Sequence, residues 1–187
     1  MRRPTLIYLF LLLISIISCT SKTDNSNDPS LKKGSTVSGK VISIIDGDTY
    51  DLLIQGNKTI RVRMEGIDAP EKGMPFYRKS KKHLSDLCFG KQVKIKITGV
   101  DHHERYLAYT YLEDGKELSR EMIKAGFAWH FKKYNSESEL SELELGAKTL
   151  KKGLWIDENP MSPWDNRKLH RDGISTKDSF YIEEKNR

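Results

Sequence analysis

Two stretches of strict alternation constrain this chain most. Ile60, Val62 and Met64 alternate with Arg61, Arg63 and Glu65, and Val93, Ile95 and Ile97 alternate with Lys94 and Lys96. A β-strand sends successive side chains to opposite faces, so a period of two marks strands with one apolar face and one polar face. Each must lay its apolar face on a core, which points Arg63 away from that core. Val37 to Ile45 and Thr49 to Ile54 read as two further strands, bent at Asp46-Gly47-Asp48. The turn cluster Gln55-Gly56-Asn57-Lys58 leads into a third, Thr59 to Ile67, and Tyr106 to Leu112 alternates as the fifth.

Helical spacing fills the gaps. Pro75 suits a helix start, after which Tyr77, Ser80, Leu84, Leu87 and Cys88 share one stripe ending at Gly90. Glu113-Asp114-Gly115 turns the fifth strand into a helix with Leu118, Met122 and Ala125 inward, and Gly126 fits its left-handed C-terminal cap. A last helix carries a capping-box pattern in Ser136 and Glu139, a stripe of Leu140, Leu143, Ala147 and Leu150, and a stop at Gly153. Five strands and about three helices in this order predict an α+β fold, a small β-barrel packed on helices.

The ends read differently. Arg2 and Arg3 precede an apolar run from Leu6 to Ile17, shorter than the roughly 20 residues of a membrane span and of secretory-signal proportions. Ile16-Ile17-Ser18-Cys19 resembles a bacterial lipobox, which implies a signal peptide over 1–18, lipidation of Cys19 and anchoring of the exported chain to a cell membrane. Residues 19–34 are polar and read as a flexible tether, and 168–187 as a polar tail. With Cys19 lipidated, Cys88 is the one remaining thiol, so the domain is held by its core rather than by a disulfide. Without residues 1–18 the chain keeps 30 basic and 26 acidic side chains, a net +4 that permits a polyanionic partner without demanding one. The expected folded part, 35–167, has the size of a single domain, expected to be a monomer with no protein partner indicated.

The polar residues then gather. Asp48 and Asp68 offer hard oxygen ligands to a divalent cation, Glu71 adds a third carboxylate, and Arg63 and Arg105 offer planar donor forks to a phosphate. Singly, each has a plainer role: Asp46-Gly47-Asp48 as a turn, Asp68-Ala69-Pro70-Glu71 as a loop into a helix, either arginine as a surface ion-pair partner. Together at these spacings they read as a site for phosphodiester hydrolysis. The adjacent His102 and His103 read as a solvated turn, Trp129 and Trp155 as packing residues, and Cys88 as inert.

Ile45-Asp46-Gly47-Asp48-Thr49, Arg63-Met64-Glu65-Gly66-Ile67-Asp68-Ala69-Pro70-Glu71 and Arg105-Tyr106-Leu107-Ala108-Tyr109 closely resemble the staphylococcal nuclease (thermonuclease) family. Gly126-Phe127-Ala128-Trp129 and Lys152-Gly153-Leu154-Trp155 resemble its later segments, and Asn159-Pro160 through Pro163-Trp164 the ending of its bacterial members. The resemblance implies an OB-fold barrel and a calcium-dependent endonuclease acting on DNA and RNA and leaving 3′-phosphates. It implies that Asp48 and Asp68 hold Ca2+ with the backbone carbonyl of Ala69. It further implies that Glu71 is the general base, that Arg63 and Arg105 hold the scissile phosphate, and that Tyr134 lies on the substrate side. Two departures stand out. Glu104 replaces a glycine in the turn before Arg105, which strains the chain if that position needs positive φ. His103 stands where a substrate-side tyrosine is expected. Both leave open an alternative, an OB-fold lipoprotein that binds single-stranded nucleic acid without cutting it. An envelope scaffold is a third class, with no motif behind it.

Overall fold

A computed structural model of the protein describes residues 31–174. The expected signal peptide, Cys19 and most of the tether lie outside the described residues, as does the tail beyond 174.

Five strands close a barrel: β1 (Thr36–Ile44), β2 (Thr49–Ile54), β3 (Lys58–Met64), β5 (Gln92–Val100) and β6 (Tyr106–Leu112). Their order is β1-β2-β3-β6-β5, with β5 returning to β1. All neighbours are antiparallel except β3 and β6. A parallel pair cannot be joined by a tight hairpin. The chain therefore leaves the barrel after β3, and α1 (Tyr77–Cys88) lies in that excursion before β5. This is the α+β barrel packed on helices that the pattern predicted, with the five-stranded OB-fold topology that the resemblance implied.

The alternating residues Ile60, Val62, Met64, Val93, Ile95 and Ile97 are inward, as the pattern assigned. Val41, Leu52, Ile60, Val62, Ile95, Ile97 and Ala108 are buried on the barrel axis, with Leu84 and Cys88 of α1 and Leu118 and Met122 of α2 (Leu118–Lys124) over its end. Full burial of an aliphatic side chain of this size contributes about 1.5–3 kcal/mol. Tyr50 is fully buried and its hydroxyl shares a 2.8 Å hydrogen bond with Thr110 Oγ1, so no polar atom is stranded there. The Cys88 thiol contacts the Leu84 carbonyl oxygen at 3.2 Å, and burial pushes its pKa up to about 12, as expected of an inert packing residue.

Four expectations change. The third strand does not run to Ile67. It ends at Met64, and Gly66 (φ +77°) turns the chain into the short strand β4 (Ile67–Asp68), which pairs with β7 (Trp129–His130). A Cβ on Gly66 would come within 2.8 Å of Leu140, so both the conformation and the space require glycine. Secondly, the expected capping box does not form. Helix α3 (Ser138–Thr149) starts at a Glu137 N-cap without a side-chain cap, and Glu139 pairs with Arg120 instead. Leu150, expected on the buried stripe, is exposed; Leu140 and Ala147 are buried as expected, Leu143 is half-buried against the core, and Glu144 is buried beside them.

Thirdly, there are four α-helices among the described residues, not about three. Helix α4 (Pro163–Arg171) begins at Ser162, whose hydroxyl accepts from the Asp165 amide, with proline at the first helical position. It continues four residues into the stretch read as tail. Finally, Leu31, inside the expected tether, is buried on the core. A second apolar cluster of Trp129, Ala147, Leu154 and Trp155, with Phe76 and Trp164 against it, carries α4 back onto the domain. The two buried tryptophans meet edge to face at 5.6 Å, the packing role expected of them.

Candidate active site

Strand register brings the acidic clusters together. Thr49 lies opposite Arg63 across β2 and β3, and the Met64 amide donates to the Asp48 carbonyl at 2.8 Å. The turn carrying Asp48 is thereby fixed beside the polar face of β3. Gly47 at its tip has no room for a side chain, because a Cβ there would overlap the Ser80 side chain and approach Ala69 Cβ to 2.8 Å. Asp68 comes from β4, held through its backbone by Trp129 of β7.

Asp48 is 4 % exposed and its two oxygens are fully used. One accepts from Thr49 Oγ1 at 2.8 Å. The other accepts from the Ala69 amide at 2.7 Å and pairs with Arg63 Nη1 at 2.7 Å. The second Arg63 nitrogen reaches Asp68 Oδ1 at 2.9 Å. Arg63, on the polar face of its strand as expected, bridges both aspartates. Its Nη1, though close to Asp48, lacks hydrogen-bond alignment and holds that contact by charge alone.

Arg105 follows from the parallel register. It immediately precedes Tyr106, which pairs with Val62 next to Arg63. Its side chain forks onto Asp101, Nε at 2.8 Å and Nη2 at 2.7 Å, and lines the same cavity of about 1170 Å³ as Asp48, Arg63, Asp68 and Glu71. Asp101 braces the turn, its Oδ1 accepting the His103 and Arg105 amides. Glu104 there adopts φ +60°, the conformation in which a glycine would be unstrained. His102 and His103 are exposed on the cavity rim with ring centroids 3.8 Å apart. Tyr134 is also exposed at the rim, edge-on to Phe131, which stacks on Trp164 at 5.3 Å.

One site residue escaped the sequence reading. Arg167 of α4 enters the acid cluster, Nη1 at 2.6 Å from Glu71 Oε1 and Nη2 at 2.6 Å from Asp68 Oδ2. Its neighbour Asn166, buried, places Nδ2 at 3.4 Å from Glu71 Oε2. The signal that could have found it is Ser162-Pro163 followed by Asp165, the start of a helix whose next turn carries both residues.

Charge dominates the site. Burial, then the Asp48 charge, pushes the Asp46 carboxyl up to about 7. Burial also raises Asp68, despite Arg167 and Arg63 favouring its charged form. For Arg63, burial disfavours the cation, but Asp48 and Asp68 outweigh it and hold the guanidinium charged; Arg167 is likewise raised by Asp68 and Glu71. Asp46, Asp48, Asp68 and Glu71 line this cavity with Arg63, Arg105 and Arg167, and Arg63 and Arg167 are paired with Asp48, Asp68 and Glu71.

Asp48, Asp68 and Glu71 are hard oxygen donors, which fit a divalent cation in donor chemistry. The carboxylates themselves are turned onto guanidiniums and amides. Among the described residues, no three acid, histidine or cysteine side chains are already gathered as a ligand set.

Residues 61–157 match the profile of the family described as staphylococcal nuclease homologue. The chain is 37 % identical over 161 residues to an "Uncharacterized endonuclease" of Haemophilus influenzae, spanning 86 % of this chain and 83 % of that protein. It is 33 % identical over 147 residues to a "Micrococcal nuclease" of Shigella flexneri, spanning 73 % and 84 %. A second "Uncharacterized endonuclease", from Escherichia coli O157:H7, is 35 % identical over 128 residues. With barrel topology, profile and relatives in agreement, this chain belongs to the staphylococcal nuclease family and is a hydrolase of the nuclease class.

Proposed function

We propose that the protein is an exported, membrane-anchored endonuclease that uses calcium to hydrolyse phosphodiester bonds of DNA and RNA. The observation that carries this reading is the meeting of Asp48, Asp68, Glu71, Arg63 and Arg105 along one cavity. Asp48 and Asp68, with the Ala69 carbonyl, would hold calcium, whose charge when bound offsets that on the non-bridging phosphate oxygens.

The protein's own groups account for the rest. Glu71 orients a water and takes its proton, a contribution of about 10²–10⁴-fold. Arg63 and Arg105 present fixed, permanently charged donors to the phosphate oxygens, where charge grows as the water attacks and the P–O bond to the leaving alcohol breaks. Each arginine is held by an aspartate before substrate arrives, Arg63 by Asp48 and Asp68 and Arg105 by Asp101, so each exchanges carboxylate contacts for phosphate ones on binding. Tyr134 and His103, which line the same cavity, would meet the flanking nucleotides.

Plasmid and RNA digestion by residues 20–187, with calcium and then with chelator, tests the reading. Cutting that survives chelation refutes the metal requirement. Intact nucleic acid recovered from a stable complex in calcium would favour the non-cutting binding module instead. For the anchor, Cys19→Ala in the full chain should move the protein from the membrane fraction to the soluble one. Retention in the membrane would overturn lipidation at that residue.

A further inference from the structure

The fourth helix reaches the acids by a route unrelated to the barrel. Trp164 stacks flat on Phe131, with ring planes within 2°, and packs against the cluster of Trp129 and Trp155. Pro163 and Asn166 are buried, and the Ser162 hydroxyl and Asp165 close the helix start. The helix is seated by these contacts, and Arg167 projects from it as a fork. One guanidinium nitrogen goes to Glu71 and the other to Asp68. Asn166 approaches the remaining Glu71 oxygen, so α4 addresses both oxygens of that carboxylate. On the other side Asp68 is shared with Arg63.

We propose that Arg167 is a positioning residue of this site: from α4 it pins Glu71 beside Asp68, and its charge holds down the acid cluster's affinity for a divalent cation. The inference rests on the role given above to Glu71. A side chain that must present one oxygen to a water gains from being held, and displacement of a catalytic group by an ångström can cost about 10²-fold in rate. The same guanidinium sits on Asp68, an expected cation ligand, so the cation and Arg167 compete for one carboxylate. Removing a unit positive charge a few ångströms from a bound cation strengthens binding even at a high effective dielectric.

Two substitutions in the otherwise intact chain separate the effects. Calcium binding is read by calorimetry without substrate, and kcat and KM on a single-stranded oligonucleotide. Arg167→Gln should bind calcium about tenfold tighter or more, while kcat falls about 10²-fold with little change in KM. Arg167→Lys keeps the charge but cannot span both carboxylates with a rigid fork. It should bind calcium like the parent and recover kcat only in part. Arg167→Gln with unchanged calcium affinity, or with parental kcat, overturns the proposal. If Arg167→Gln does not fold, Arg167→Lys decides alone, and parental kcat there overturns it. A parent chain that fails to cut, or Glu71→Gln at full rate, instead sinks the reading beneath, while the calorimetric comparison still scores the charge effect.

Discussion

Glu104 is the place where this chain departs from the glycine expected by resemblance, and the structure gives it φ +60°. A left-handed conformation costs a residue with a Cβ about 1–2 kcal/mol. Glu104→Gly removes that cost but adds about 0.5–1 kcal/mol of unfolded-chain entropy. The backbone bond from its amide to the Asp101 carbonyl, 3.0 Å, is unaffected, and the side chain is exposed. The net expectation is a gain of about 0.5–1 kcal/mol, seen as a midpoint rise of about 1–4 °C in a domain of this size. Calorimetric melting of the parent, Glu104→Gly and Glu104→Ala measures it. Alanine is the control, because it deletes the charge but keeps the Cβ and with it the strain. If Glu104→Ala stabilises as much as Glu104→Gly, charge rather than conformation is the cause and the reasoning fails. Because the turn is braced by Asp101 and leads directly into Arg105, Glu104→Gly should leave kcat within about threefold, an effect of well under 1 kcal/mol.

The remaining expectations are briefer. Arg63→Ala, Arg105→Ala and Glu71→Gln should each lower turnover by about 10²-fold or more while circular dichroism stays native; near-parental rate in any one removes its assigned role. Gly47→Ala forces a methyl onto Ser80 and Ala69 at the base of the acid turn, so urea melts should show a loss of about 1–3 kcal/mol, and an unchanged midpoint would contradict that packing. Burial would raise the Glu144 carboxyl, but Lys148, the His130 amide and Lys132 outweigh it and hold it below its ordinary value. The folded state then binds its proton less readily than the unfolded chain. Its contribution is therefore complete above the ordinary glutamate range and disappears as pH falls through the lowered folded value. Glu144→Gln should flatten the acid limb of a stability-against-pH curve, and an unaltered limb would count against the assignment.

Much of the barrel was legible because strand burial is a local pattern. The alternation over Ile60 to Glu65 and Val93 to Ile97 names the inward face whatever the partner strand, and Val62, Ile95 and Ile97 are buried as that pattern requires. Gly126 was legible for the same reason, and its φ of +75° caps α2 as read. The capping box at Ser136 was misread because Glu139 has a stronger long-range partner in Arg120 than its own helix end. The third strand was overextended because Glu65-Gly66-Ile67 continues the alternation while the backbone turns away at Gly66.

The site divides in the same way. Asp48, Asp68, Glu71, Arg63 and Arg105 could be named from residue types and spacing alone, since each sits in or beside a turn or strand end with local markers. The amino-acid order therefore determined the barrel's inward faces, the acids and two of the guanidiniums. Arg167 is 96 positions from Glu71 and 99 from Asp68, and nothing near it in the chain refers to either. Only tertiary packing, with Trp164 stacked on Phe131 and Pro163 and Asn166 buried, decided where that fork points. Periodicity reports which face a residue takes on its own element, whereas a long-range ion pair depends on where two elements meet.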